Sequence, residues 1–215
     1  MAASFDIIVI GAGIAGASLA AELCHGNSVA MLEMESVAGY HTTGRSAATF
    51  VPSYGPPVIR ALTRASETFF RAPPEGFCAH PLISPRGEMM VAGAGDEHHI
   101  DQAISEGLQE ITLDRARELI PPLRTDKLVA AAYEAGAEDI DVDALHQGFL
   151  RSFRKAGGTI VLNAEVQALS RRGGQWQIET PAGTFHAATV VNAAGAWADG
   201  VAAMAGIAAL GITPK

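Results

Sequence analysis

The sequence predicts an α/β fold, in which a three-layer domain with a mostly parallel sheet is interleaved with an α+β domain. Three observations predict it. The chain opens on an apolar strand, a glycine-rich turn and an alanine-rich helix. A later strand, turn and helix of the same kind lies near residue 195. The residues between alternate short apolar runs with polar helical ones.

The opening reads FDIIVIGAGIAGASLAAELCHGNSVAMLE. Phe5 to Ile10 is apolar apart from Asp6 and rich in isoleucine and valine, as a strand buried on both faces is expected to be. Gly11 ends it. Ile14 to Cys24 places alanines and leucines at helical spacing, and Ser28 to Glu33 is a second apolar strand, so the stretch forms one βαβ unit. Neither a secretion signal nor a spanning helix is expected here. The first charged side chain is Asp6, no A-x-A-like site follows, and the glycines and Glu22 interrupt a run that would need about 20 apolar residues.

In a Rossmann-like unit each glycine has a task. Gly11 permits the tight turn, Gly13 lets backbone approach a pyrophosphate, and Gly16 lets the helix lie close to the sheet. N–H groups at the helix start, those of Ile14 and Ala15 among them, then face the phosphates with the positive end of the helix dipole. Glu33, at the tip of the second strand, is placed to accept hydrogen bonds from a ribose diol, and its charge would repel a 2′-phosphate. The glycine pattern alone is weak; with strand, helix and acid in order it points to a dinucleotide.

The bulk properties fit a domain of this kind. At 215 residues the chain can bury a substantial core. A net charge of −8 argues against a nucleic-acid partner, and the Arg171–Arg172 pair beside Gly173–Gly174 reads as a hairpin turn. Two cysteines make no disulfide framework, Cys24 reads as a core thiol, and a cytoplasmic location is expected. No metal site is expected: His98 and His99 adjoin on a polar helix with no third ligand in sight. No transmembrane segment is expected either.

The segment after Glu33 separates the two common dinucleotides. An NAD unit would usually proceed through another crossover helix to a third parallel strand. Here VAGYHTTGRSAATFVPSYGPP follows, too rich in Gly, Thr, Ser and Pro for a helix, and reads as a long ordered loop beside a cofactor site. FAD needs extra backbone donors for its flavin ring. Thr43, Gly44, Ser46 and Ala47 suit that approach, and Arg45 adds a cation.

Further along, Val58 to Phe70 patterns as a helix and Pro81 to Ala92 as strand. Asp96 to Ile120 reads as two surface helices closed by Pro121–Pro122, and Leu128 to Tyr133 as strand. Asp143 to Phe153 is a helix feeding the strand Thr159 to Leu162. Val166 to Ser170 and Gln175 to Thr180 form a hairpin, and Ala187 to Asn192 is a buried strand ending on AAGAW.

The stretches GAGIAGAS, GYHTTGRSAA, SYGPPVIRALTRAS, GFCAHPLISPRGEM, GAEDIDVDALHQGFLR and VVNAAGAWADGVAAMAG, taken in order, resemble the FAD-dependent D-amino-acid oxidase and dehydrogenase family. Within that family the chain is most similar to the D-arginine dehydrogenases. The resemblance runs from end to end. It implies an FAD-binding domain of residues 1–77 and 142–205 and an incomplete substrate domain of 78–141 and 206–215. It also implies oxidative deamination of D-amino acids, preferably basic ones such as D-arginine and D-lysine, to 2-oxo acids and ammonia, with an unidentified electron acceptor. By the same resemblance Ala194, Gly195 and Trp197 face the cofactor, Val166 lies near the adenosine, and Tyr54 belongs to a loop over the substrate. On bare sequence Trp197 could instead be core, and Tyr54 could pack on a helix.

Glu88 would choose the substrate. The resemblance sets it opposite a guanidinium or ammonium of the bound amino acid. A carboxylate among Met89, Met90 and Val91 would otherwise need a protein cation such as Arg86. Three positions depart from the relatives the chain resembles. Thr49 stands where they carry a histidine near the flavin and substrate amine, Val51 where they carry a polar residue, and Met34 where they carry an arginine. The chain also ends at GITPK, where those relatives continue through arginines for the substrate carboxylate and a closing flavin loop. By itself, then, it is expected to lack a complete site. The alternatives to basic D-amino-acid oxidation are glycine- or sarcosine-type amine oxidation, 2-hydroxy-acid oxidation, and a catalytically silent FAD-binding fragment.

Overall fold

The computed structural model describes residues 3–212. In chain order they form β1 (Ala3–Ile10), α1 (Ile14–Leu23), β2 (Val29–Leu32), β3 (Thr49–Phe50), α2 (Pro57–Arg71), β4 (Ile83–Pro85) and β5 (Glu88–Gly93). There follow α3 (Glu97–Glu106), β6 (Gln109–Ile111), α4 (Leu113–Leu119), β7 (Leu128–Glu134), β8 (Glu138–Ile140) and α5 (Val142–Lys155). The last elements are β9 (Thr159–Val161), β10 (Ala168–Arg172), β11 (Gln175–Thr180), β12 (Gly183–Asn192) and α6 (Ala198–Met204). Short 3-10 turns lie at Thr43–Arg45 and Gly195–Trp197.

Contacts divide the chain into two units. The first holds the chain up to Ser46, Glu75–Ala79, and the described chain from Val142 onward; the second holds Ala47–Pro74 and His80–Asp141.

The first unit is built on a six-stranded sheet of order β10-β11-β12-β1-β2-β9. β12, β1, β2 and β9 run parallel, and the β10–β11 hairpin adds antiparallel strands at one edge. The sheet is apolar on both faces because side chains alternate along each strand. Ile8, Ile10, Ala30 and Leu32 face one core with Ile178, Phe185 and Val201. Val9, Val29 and Met31 face the other, against Ala17, Ala20 and Ala21 of α1 and Leu150 and Phe153 of α5. This is the three-layer, mostly parallel α/β arrangement that the sequence predicts.

The second unit contains two small sheets, of order β3-β8-β4 and β5-β7-β6. Ala92, Ile100, Ala103, Leu108 and Ala132 form its core beneath α3. The expected pair of helices across Asp96 to Ile120 is interrupted by β6, whose Gln109–Ile111 pairs with β7. Thr112 then caps α4 by accepting the Arg115 N–H through its hydroxyl, at 3.1 Å. The strand expected over Pro81 to Ala92 is likewise two, β4 and β5, joined by a turn at Arg86–Gly87.

The boundary expected between residues 77 and 78 falls elsewhere. Residues 47–74 join the second unit, because β3 pairs with β8 and the Arg71 guanidinium grips Glu138 at 2.8 Å. Residues 75–79 return to the first unit through Phe77. Its ring fills the space left by Gly148 on α5 and meets Phe149 edge-on at 5.0 Å, and Arg151 donates to its carbonyl. The described residues after 205 also stay with the first unit, while residues 213–215 of that expected segment lie outside the described residues.

Phe153 is fully buried between α1, α5 and the sheet. Phe153→Ala should therefore lower stability by about 3–5 kcal/mol, read from the midpoint and slope of urea unfolding.

Candidate functional site

The first unit opens a cleft of about 400 Å3 at the carboxyl ends of β1, β2 and β12, the side on which open parallel sheets place ligands. Gly11 leaves β1 with φ +101°, and a Cβ there would lie 2.5 Å from the Ala193 carbonyl oxygen. Gly16 sits against the turn, where a Cβ would come within 1.9 Å of the Gly11 carbonyl oxygen. These two positions require glycine, and together they pull the start of α1 onto the end of β1.

Four expected elements line this cleft: Gly11 and Gly13 of the turn, Glu33, Thr43, and Val166 with Ala194, Gly195 and Trp197. Glu33 is buried, and its carboxylate accepts the Ala12 N–H at 2.9 Å and the Glu35 N–H at 3.0 Å. An ionised carboxylate offers about four acceptor sites, so two remain for hydroxyls. Trp197 is 41% exposed with its ring 4.5 Å from His41, which excludes the core reading.

Other expected residues sit differently. The Ile14 N–H is already taken by the Thr43 hydroxyl at 2.9 Å, so this donor does not face the cleft. The N–H groups of Ala15 and Gly16 carry no hydrogen bond among the described residues. Gly44, Arg45 and Ser46 do not line the cleft; they hold the loop to itself. The Gly44 N–H donates to Gly39 at 2.7 Å, the Ser46 hydroxyl to Thr42 at 2.6 Å, and the Arg45 guanidinium lies 5.1 Å over the Tyr40 ring. Ala47 belongs to the second unit.

The sequence reading missed four residues here. Tyr40 and His41 line the cleft, and His41 pairs with Glu35 at 2.8 Å. His146 is buried under the glycine turn, and Asp199 holds the chain at 210–212. All four lie in stretches that carry the family resemblance, but no spacing rule assigns them a role; for His146 its position among the buried Leu145, Leu150 and Phe153 of α5 was a further signal.

The second unit has its own cleft of about 410 Å3, which brings together Thr49, Tyr54 and Glu88 beside Phe50, Leu62 and Phe70. Tyr54 is 71% exposed. Glu88 is exposed rather than buried, because β5 is an edge strand on which Met90 and Val91 are exposed as well. Arg86 is not its partner: its guanidinium binds Asp139 at 2.6 Å. Directly opposite Glu88 on β7 stands Glu134, which accepts the Ser53 hydroxyl. The rings of His98 and His99 lie against each other, 3.9 Å apart, and no group of three potential metal ligands occurs among the described residues. No helix among the described residues is long and apolar enough to cross a membrane.

Residues 6–214 match the family described as FAD dependent oxidoreductase (DAO). The chain belongs to that family. Among its relatives, human mitochondrial dimethylglycine dehydrogenase is 36% identical over 95 residues, covering 44% of this chain and 11% of that protein. Glycine oxidase from Geobacillus kaustophilus superposes with a TM-score of 0.83 at 22% identity, over 95% of this chain and 59% of that one. The L-alpha-glycerophosphate oxidase from Mycoplasma pneumoniae with FAD bound gives 0.79 at 18% identity, over 94% and 56%. This chain thus spans little more than half of those solved chains.

The first cleft fits the cofactor of the FAD-dependent oxidoreductases. Its two obligatory glycines let the turn pack against Ala193 and onto the start of α1, two N–H donors at the start of α1 are free, and Glu33 keeps acceptor capacity for a ribose. Ile10, Leu32, Ala164 and Val166 supply apolar walls.

Asp199 closes one rim of this cleft. Its carboxylate accepts the N–H groups of Leu210 and Gly211 at 2.8 Å and of Ile212 at 2.7 Å, and Ile212 itself lines the cleft. These bonds, that of Leu210 foremost, hold the carboxyl below its ordinary value of 3.8. A lowered folded-state value means the contact is fully present above the ordinary value and is lost as pH falls through the lowered one. The amide resonances of residues 210–212 should therefore titrate together below pH 3.8 in NMR spectra, and Asp199→Asn should abolish that shared transition.

Proposed function

We propose that the protein is an FAD-dependent oxidoreductase that oxidatively deaminates D-amino acids with a cationic side chain, D-arginine and D-lysine first, to 2-oxo acids and ammonia. The observation that carries this reading is the free carboxylate of Glu88. It lines a cleft with Thr49 and Tyr54, while the cation nearest in sequence is held by Asp139. An unmatched carboxylate in a cleft favours a cationic ligand over a neutral one of the same shape. The D configuration and the deamination rest on the resemblance in sequence.

When bound, FAD supplies the acceptor for the hydride that leaves the substrate Cα. The N–H groups of Ala15 and Gly16 would hold its diphosphate, and Glu33 its ribose. Gly11, Gly13, Val166, Ala194, Gly195 and Trp197 would shape the surrounding walls. Thr43 would act through the Ile14 N–H that it caps, and Gly44, Arg45, Ser46 and Ala47 by fixing the loop that follows. Glu88 would draw in the distal cation of the substrate, and the Tyr54 hydroxyl would hydrogen-bond the substrate. Thr49 can donate or accept a hydrogen bond but does not titrate near neutral pH, so it would orient the amine without taking its proton. The product imine is then hydrolysed by water.

A second reading, oxidation of an N-methylated glycine, is favoured by the identity to dimethylglycine dehydrogenase. One comparison separates the two. The whole native polypeptide, loaded with FAD and an artificial electron acceptor, is assayed with D-arginine, D-norleucine and sarcosine. Basic D-amino-acid oxidation requires D-arginine to exceed D-norleucine in kcat/KM by about a hundredfold, and Glu88→Gln to cut that ratio to about tenfold or less. Preference for sarcosine, unaffected by Glu88→Gln, would establish the second reading instead.

A further inference from the structure

We propose that His146 is a positioning residue for the cofactor, which fixes the orientation of the Ala12–Gly13 peptide so that its N–H, and not its carbonyl, faces the diphosphate. The inference rests on reading the first cleft as the diphosphate site.

Ala12 is fully buried in the glycine turn, yet both of its backbone polar groups are bound by side chains distant in sequence. Its N–H donates to Glu33 Oε2 at 2.9 Å, and its carbonyl accepts from His146 Nε2 at 2.8 Å. A carbonyl can only accept, so Nε2 carries the hydrogen. The peptide group is planar and trans, so its C=O and N–H point in opposite directions. Turning the Ala12 carbonyl toward His146 therefore turns the Gly13 N–H away from α5. Gly13 lines the cleft, and its N–H carries no hydrogen bond among the described residues.

The opposite orientation would present a carbonyl oxygen to an anion. Gly13 is unusually free to adopt it, because glycine tolerates backbone angles that other residues do not. The turn thus needs an external constraint at the position that faces the cleft. His146 supplies it from the buried face of α5. Its ring is only 3% exposed and is seated against Gly39, where a Cβ would come within 2.7 Å of the ring.

The test compares wild type with His146→Leu, His146→Gln and His146→Asn. FAD binding is followed by quenching of flavin fluorescence, and adenosine, which lacks the diphosphate, serves as the second probe. The apo proteins are compared by near-UV circular dichroism. A glutamine amide reaches the Nε2 position, whereas that of asparagine reaches only Nδ1. His146→Leu and His146→Asn should weaken FAD by about tenfold or more and leave adenosine within about twofold, and His146→Gln should restore most of the FAD affinity. If His146→Leu does not fold, the glutamine–asparagine contrast decides alone. The proposal is overturned if FAD affinity is unchanged, if FAD and adenosine fall together, or if glutamine fails where asparagine fails. A wild-type chain that binds adenosine but not FAD would remove the diphosphate reading itself, and with it the proposal.

Discussion

β1 has neither a free edge nor a free face. It pairs with β12 on one side and β2 on the other, and its side chains alternate between two cores. Such a strand cannot slip by one residue without moving its whole apolar set to the other face, so its end at Ile10 is fixed. The Gly11 N–H extends the ladder to the Leu32 carbonyl at 2.8 Å, and the Ala193 N–H does the same to the Ile10 carbonyl at 2.9 Å. Three strand ends are thereby aligned where the chain turns into α1. The cleft follows from that alignment, because Glu33, Ala194 and the glycine turn stand at the same level.

A fold of this kind does not name a substrate. The proteins with which the chain superposes include a glycine oxidase and a glycerophosphate oxidase, which share the architecture at low identity. The selectivity proposed for this chain rests on single side chains of the second unit. There the antiparallel register sets Glu88 opposite Glu134, a like-charged pair that costs free energy unless something offsets it. Ser53 satisfies one carboxylate with its hydroxyl, and Arg86 is committed to Asp139. Of that pair, Glu88 is the carboxylate without a partner among the described residues.

The parts legible in the sequence are those whose burial is dense. β1, α1 and β2 could be read because every residue of β2 is buried and α1 presents alanines to the sheet. The unit boundary was not legible for the opposite reason. β3 has two residues, and α2 buries none of its fifteen, so neither carries a pattern that says which unit it joins. β6 hides between two helices as three residues, only one of them apolar. At the site, the glycines and Glu33 announce themselves by spacing, whereas His146 is a lone histidine whose partner lies 134 residues away. The burial assumed for Glu88 from its apolar neighbours failed because β5 is an edge strand on which Met90 and Val91 are themselves exposed.

The charge of the cleft sharpens what its backbone must accomplish. Among the described residues that line it there is no lysine or arginine, while Glu33, Glu165 and Asp199 all do, in a chain of net charge −8. Long-range electrostatics therefore oppose a diphosphate, and the attraction has to be local. What remains is the set of N–H dipoles at the turn and the start of α1, each effective only at hydrogen-bonding distance and in the right orientation. Asp199 accepts three backbone N–H groups and Glu33 two, which offsets part of their negative charge locally. A site that relies on a few oriented dipoles instead of mobile cations has little tolerance for a peptide that turns. That is the physical reason a buried turn should be clamped at both its N–H and its carbonyl.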